Sequence, residues 1–193
     1  MNSRKLTLSI ILLCAISAWQ FGSVAYLHAK ARLAQYLVAE AWTKIKQGEA
    51  KAKPWPWADT WPVAQLRVPR HDVEQWVLAG ANGRTLAFGP GWMKASAELG
   101  SAGRVVLAGH RDTHFRFLAE LDPGDIIEMD TVNGAMQYRV DHMDVVDSRM
   151  YQLSLQSTNS ELVLITCYPF DGIDPGTPLR YVVSASRIME ASE

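Results

Sequence analysis

The sequence predicts a mainly β domain, a closed barrel or sandwich, preceded by an apolar N-terminal helix. Short apolar or alternating runs separated by Gly, Pro, Asn and Asp recur from Val63 onward, with few helical patterns between them. Leu6 to Leu27 holds 22 residues without a charged side chain. Leu162-Val163-Leu164-Ile165-Thr166 is a nearly continuous apolar run that rises to Cys167 and is closed by Pro169. That is the pattern of a buried strand with a thiol at its C-terminal end.

From the N-terminus, those 22 uncharged residues would span about 33 Å as a helix, enough for a hydrocarbon core. The stretch fits an uncleaved anchor, a signal peptide cut near Ala29-Lys30-Ala31, or a core helix. Its length exceeds an ordinary signal-peptide core and favours an anchor over residues 1–27. Lys30, Arg32, Lys44 and Lys46 outnumber Arg4 and Lys5, and flanking charge alone would put the following domain in the cytoplasm. Residues 28–53 are expected to form a helical stalk or linker. Leu27, Ala31, Ala34, Val38, Ala41, Trp42 and Ile45 share one face at helical spacing, and Gly48 and Pro54 end the pattern. Such a helix lies on lipid, stands as a stalk, or packs on the domain.

Pro54-Trp55-Pro56-Trp57-Ala58-Asp59-Thr60-Trp61-Pro62 cannot be regular helix or central strand. Its three Trp are expected to clamp an extended segment onto the domain, with an aromatic binding surface as the alternative. Strands are expected at Gln65–Val68, Trp76–Ala79, Arg104–Gly109, Ile126–Met129, Met136–Val140, Leu162–Thr166 and Leu179–Ala185. Thr85 to Trp92 reads as loop or a short helical turn, and Phe115–Leu121 as a short helix closed by Asp122-Pro123-Gly124. Asn133-Gly134 signals a hairpin, and Met136, Tyr138 and Val140 alternate with polar residues, so that strand has one buried face.

Charge narrows the function. Residues 1–53 carry eight Lys and Arg against two acids, and residues 54–193 carry eleven against eighteen. A domain with a net charge of −7 by this count is a poor partner for nucleic acid. The five His and two Cys show no metal-ligand spacing, so neither a metal nor a cofactor is expected. Cys14 lies in the apolar N-terminal stretch, which argues against a disulfide with Cys167.

Three residues sit at expected strand ends: His110, Cys167 and Arg180. A thiol needs a nearby base or cation to be a nucleophile at neutral pH. A tetrahedral acyl intermediate needs a donor for its oxygen, and a guanidinium supplies one. The loop from Tyr168 to Pro178, with Pro169, Gly172, Pro175, Gly176 and Pro178, can reverse direction and bring Arg180 back beside Cys167. Each residue also has a plain structural use: a small buried hydrophobe, a surface His, or an Arg paired with Asp171 or Asp174.

At these positions the chain resembles the sortases. Ala108-Gly109-His110-Arg111-Asp112 resembles the segment with the sortase catalytic His. Val163-Leu164-Ile165-Thr166-Cys167 resembles the T-L-x-T-C signature, with Val163 in place of Thr, and Leu179-Arg180-Tyr181-Val182-Val183 resembles the strand with the catalytic Arg. The Pro-Trp segment further resembles the proteobacterial, Gram-negative subgroup. The resemblance runs from about Pro54 to Arg187 and implies an eight-stranded β-barrel over residues 54–193. It implies a membrane-anchored cysteine transpeptidase that cuts an LPxTG-like C-terminal sorting signal between Thr and Gly and passes the acyl group to an amine. Cys167 would attack, His110 would carry protons, Arg180 would hold the oxyanion or position the substrate, and Thr166 would support them. His114 and Arg111 lie near in sequence and receive no chemical role. Exported substrates would put the domain in the periplasm, on a single-pass anchor in the inner membrane. Two other classes fit the residues: a thiol hydrolase that uses water as acceptor, and a non-catalytic membrane-anchored β-module with a buried Cys.

Overall fold

The structure, a computed structural model, describes residues 3–172, 174 and 176–188. Pro175 of the expected loop and the outermost residues of the expected anchor and barrel segments lie outside them. The chain forms two compact units, residues 1–37 and 38–193.

The first unit is helix. Helix α1 (Ser3–Lys46) is unbroken and is long and apolar enough to cross a membrane. Every residue from Leu6 to Leu27 is exposed, Trp19 by 79% and Phe21 by 77%, so this stretch is not a core helix.

In the second unit, the C-terminal turns of α1 bury Val38, Ala41, Trp42 and Ile45. Ala41, Trp42 and Ile45 cluster with Ala52 and pack on Trp61 and Trp76, the Trp42 and Trp76 rings 6.0 Å apart. Lys46 Nζ donates to Asp130 Oδ1 at 2.8 Å and to the Thr131 carbonyl at 3.2 Å. This part of the apolar face therefore packs on the domain. The helix stops because Gly48 turns to a φ of 105°, well before Pro54. Of the three Trp expected to clamp the next segment, two do so. Trp55 meets Phe88 edge to face at 4.9 Å, and half-buried Trp61 carries the Lys51 and Lys94 ammonium groups at 5.1 and 4.7 Å from its ring. Trp57 is 83% exposed, because a turn closed by the Ala58 N–H on the Trp55 carbonyl buries Ala58 in its place.

Eight strands then close a barrel: β1 (Pro62–Val68), β2 (Val73–Ala79), β3 (Gly91–Trp92), β4 (Arg104–Ala108), β5 (Ile126–Thr131), β6 (Gly134–Asp147), β7 (Glu161–Cys167) and β8 (Leu179–Arg187). Their order around the barrel is β1-β2-β3-β4-β7-β8-β6-β5. β2 with β3 and β4 with β7 are parallel, and the other pairs are antiparallel. The expected helices are a single turn, α2 (Gly83–Leu86), and a 3-10 helix at Arg116–Glu120.

Alternation fills the barrel. Ala64, Leu66 and Val68 of β1, Ile127 and Met129 of β5, and Met136, Tyr138 and Val140 of β6 point inward, and their intervening neighbours do not. Each large aliphatic side chain so buried contributes about 1.5–3 kcal/mol relative to exposure. β7 does not alternate because both its faces are covered. Leu162 and Leu164 enter the barrel core, while Val163 packs outside with Val106 and Val182 under Met93, Leu153 and Leu155. Two strands differ from expectation. β3 falls within Thr85–Trp92, where loop or a short helical turn is expected, since two residues beside Gly89 and Pro90 show no periodicity. β6 runs seven residues past Val140, carried by pairing with β8 from Tyr138↔Arg187 to Asp147↔Leu179.

One buried carboxylate ties the barrel's base. Asp125 is 6% exposed and accepts from Arg70 Nη1 at 2.6 Å, His71 Nε2 at 3.0 Å and the Asp122 N–H at 2.9 Å. These bonds join the 3-10 turn after β1 (Pro69–His71) to the turn before β5. Burial pushes the Asp125 carboxyl up, but the Asp122 N–H, Arg70 and His71 outweigh it and hold the pKa at about 2, against an ordinary 3.8. A depressed folded pKa stabilises the fold above the unfolded value. That contribution, about 2 kcal/mol, is lost as pH falls from near 4 toward 2. Asp147, held at about 2 by Arg149, titrates in the same window. Thermal unfolding between pH 2.5 and 6 should therefore show stability falling below pH 4. Asp125→Asn should be less stable at pH 6 and lose stability less steeply below pH 4. An unchanged slope would contradict this account of Asp125.

Candidate active site

β7 is the middle of three neighbouring strands, with β4 parallel on one side and β8 antiparallel on the other. Cys167 is its last residue and is half-buried. On the β8 side its register partner is Arg180, so the reversal between the strands sets thiol and guanidinium on neighbouring positions. On the β4 side, Ala108 pairs with Ile165. The pairing continues past the end of β4: the Gly109 N–H donates to the Ile165 carbonyl at 3.2 Å, and Thr166 Oγ1 donates to the Gly109 carbonyl at 2.8 Å. His110 follows at once and comes level with Cys167. Cys167 and Arg180 are thus register partners, His110 stands two residues past Ala108 as Cys167 stands two past Ile165, and Thr166, 2% exposed, ties the two segments.

Local sequence fixes the His110 segment. A Cβ on Gly109 would lie 2.7 Å from Phe115 Cγ, so only glycine lets that fully buried ring fold beneath the strand end. The Phe115 N–H then donates to the His110 carbonyl at 2.9 Å and closes the turn. His110 itself is exposed. His114 is half-buried, and Gln75 Nε2 donates to its carbonyl at 2.7 Å. Burial pushes the His114 pKa below the ordinary histidine value, against a hydrogen bond to the Ala87 backbone that favours the charged form.

Arg180 does not pair with Asp171 or Asp174 among the described residues. Its Nη1 donates to the carbonyls of Thr177 at 2.6 Å and Leu179 at 2.8 Å. The loop after Cys167 leans on β8 through an aromatic cluster, with Phe170 5.1 Å and Tyr168 6.0 Å from the Tyr181 ring. Sequence reasoning passed over Arg111. It is 8% exposed, and its Nη2 donates to the carbonyls of Gly172 and Asp174. The available signal was its place directly after His110 in a chain that must turn inward to bury Phe115.

A thiol, an imidazole and a guanidinium on three adjoining strands of a closed barrel form an acyl-transfer constellation. Groups of these three kinds are the ones acyl transfer requires: a nucleophile, a proton carrier and a donor for a developing oxyanion. A family model described as the sortase domain matches residues 66–188. The chain belongs to the sortase family, whose members are cysteine transpeptidases. It is similar to Sortase D of Bacillus subtilis, 33% identical over 124 residues, which cover 64% of this chain and 62% of the relative. The match thus spans about three fifths of that relative's length. Among solved structures, it is similar to sortase A from Corynebacterium diphtheriae, with a TM-score of 0.61 and 25% identity over 70% of this chain and 64% of that one. A Sortase D5 transpeptidase of Clostridium perfringens shares the fold at a TM-score of 0.59 and 23% identity, over 67% of this chain and 80% of that one.

Proposed function

We propose that this chain is a membrane-anchored cysteine transpeptidase that acts on proteins with an LPxTG-like C-terminal sorting signal. The observation that supports this reading is the strand register that pairs Cys167 with Arg180 and ends β4, two residues before His110, beside β7. Cys167 Sγ attacks the carbonyl carbon of the signal's Thr, and Arg180 donates to the oxygen as charge builds on it. The Thr–Gly bond breaks, His110 gives a proton to the departing amine, and a thioacyl enzyme remains. An incoming amine then attacks the thioester, loses its proton to His110, and releases the thiol. Thr166 supports the site by tying the Cys167 strand to the residue before His110.

The same reading divides the chain into an anchor at residues 1–27, a stalk or linker at 28–53 and a catalytic barrel at 54–193. The exposed apolar stretch of α1 supports the anchor and a membrane lipid partner. The Pro-Trp segment supports a place in the Gram-negative subgroup, and exported substrates support a periplasmic barrel on the inner membrane. Added protease should then digest the barrel in spheroplasts. A protected barrel would contradict this placement and favour the charge flanks.

Cleavage kinetics with sorting-signal peptides test the roles. Cys167→Ala should abolish cleavage, and His110→Ala should lower kcat/KM by at least about a hundredfold. His114→Ala should cost much less, since His114 lies off the strand end, half-buried, and burial lowers its pKa. Arg180→Lys keeps the charge and loses the fork, and acylation should slow by roughly tenfold to a thousandfold. Near-normal rates in His110→Ala or Arg180→Lys would remove that residue from the mechanism. Products that require an added amine indicate transfer, and an amine-independent acid product would show water as the acceptor.

A further inference from the structure

Arg111 is a cation where a barrel end would ordinarily bury an apolar side chain. It is 8% exposed and forms no ion pair among the described residues. Its Nη1 is buried and has no hydrogen-bond partner among the described residues, while Nη2 donates to the Gly172 carbonyl and, at 2.8 Å, to the Asp174 carbonyl. A buried guanidinium held by carbonyls but by no carboxylate among the described residues is costly to bury, so packing alone does not account for it. Its described partners are carbonyls of the loop joining β7 to β8. One end of that loop carries Cys167. At the other end, the Thr177 and Leu179 carbonyls hold Nη1 of Arg180. The residue before Arg111 is His110. One guanidinium therefore links the segment of His110 to the loop that spans Cys167 and Arg180.

We propose that Arg111 is a positioning residue that holds the β7–β8 loop, and through it Arg180, in register with Cys167 and His110 during acylation. This rests on the acyl-transfer reading of Cys167. Two observations specify the contact. Nη2 bridges two carbonyls two residues apart, with its N–H vectors fixed in the rigid guanidinium plane. A Cβ on Gly172 would stand 3.2 Å from Arg111 Nη1 and 3.1 Å from the Pro169 carbonyl, so a side chain there would push the loop from the guanidinium. Arg111 touches neither the thiol nor the imidazole among the described hydrogen bonds, so it acts through the loop.

The test uses the full-length chain in detergent and a fluorogenic peptide that the wild type selects from a Leu-Pro-x-Thr-Gly library. Single-turnover acylation, thermal unfolding and alkylation of Cys167 by iodoacetamide are compared for Arg111→Met, Arg111→Lys and Gly172→Ala. We expect acylation to slow at least tenfold in all three, with the loss in the maximal rate rather than in its dependence on peptide concentration. Unfolding temperature should fall by no more than about 3 °C, and alkylation should stay within twofold of wild type. Acylation at the wild-type rate in Arg111→Met and Arg111→Lys would overturn the role of Arg111 and leave Cys167 in place. Loss of acylation together with a fall of ten degrees or more would make Arg111 a structural residue only and overturn the proposal. A wild type that takes no peptide in the library would overturn the Cys167 reading itself, and this inference with it.

Discussion

Everything at the rim depends on β4 and β7 running parallel past the end of their ladder. Thr166 Oγ1 reaches the Gly109 carbonyl at 2.8 Å, and the Gly109 N–H reaches the Ile165 carbonyl at 3.2 Å. Both bonds form where regular strand structure has stopped. Without them the His110 segment would be an ordinary loop, free to drift from the thiol. The Thr166 bond is buried, where an unpaired hydroxyl or carbonyl costs about 1–3 kcal/mol. The glycine is required on the same spot, because Phe115 occupies the space of a side chain. Barrel packing and site geometry are thus set by the same few atoms.

A site built this way separates rigidity from access. β7 is covered on both faces, by Leu162 and Leu164 within the barrel and by Val163 outside, so Cys167 stands on a strand that cannot rotate. The candidate site residues stand at strand ends: exposed His110 and half-buried Cys167 and Arg180. Trp42, Trp61, Trp76 and Lys46 hold the end of α1 on the barrel wall.

Much of this was legible in the residues. The unbroken apolar run before Cys167 announced a strand covered on both faces, and strict alternation at Met136, Tyr138 and Val140 announced one covered on a single face. The places of His110, Cys167 and Arg180 at or just past strand ends were legible from the apolar runs beside them. What escaped notice was set by pairing rather than by pattern. β3 is two residues long and exists because β2 and β4 lie on either side of it. The second half of β6 carries His142 and Asp144 on an exposed stretch, and β8 alone makes it a strand. Trp57 faces solvent because of one backbone turn that side-chain hydrophobicity does not encode. Arg111 was passed over because its contacts are to carbonyls of a loop more than sixty residues away.

The central claim is that Cys167 becomes acylated by the residue on the N-terminal side of the cleaved bond. The most direct test is mass spectrometry of the full-length chain, in detergent, quenched in acid during turnover of a sorting-signal peptide. The account predicts an adduct with the mass of the peptide's N-terminal fragment, mapped to Cys167, labile to hydroxylamine and absent in Cys167→Ala. Peptide cleavage with no adduct on Cys167, or an adduct mapped to another residue, would contradict it.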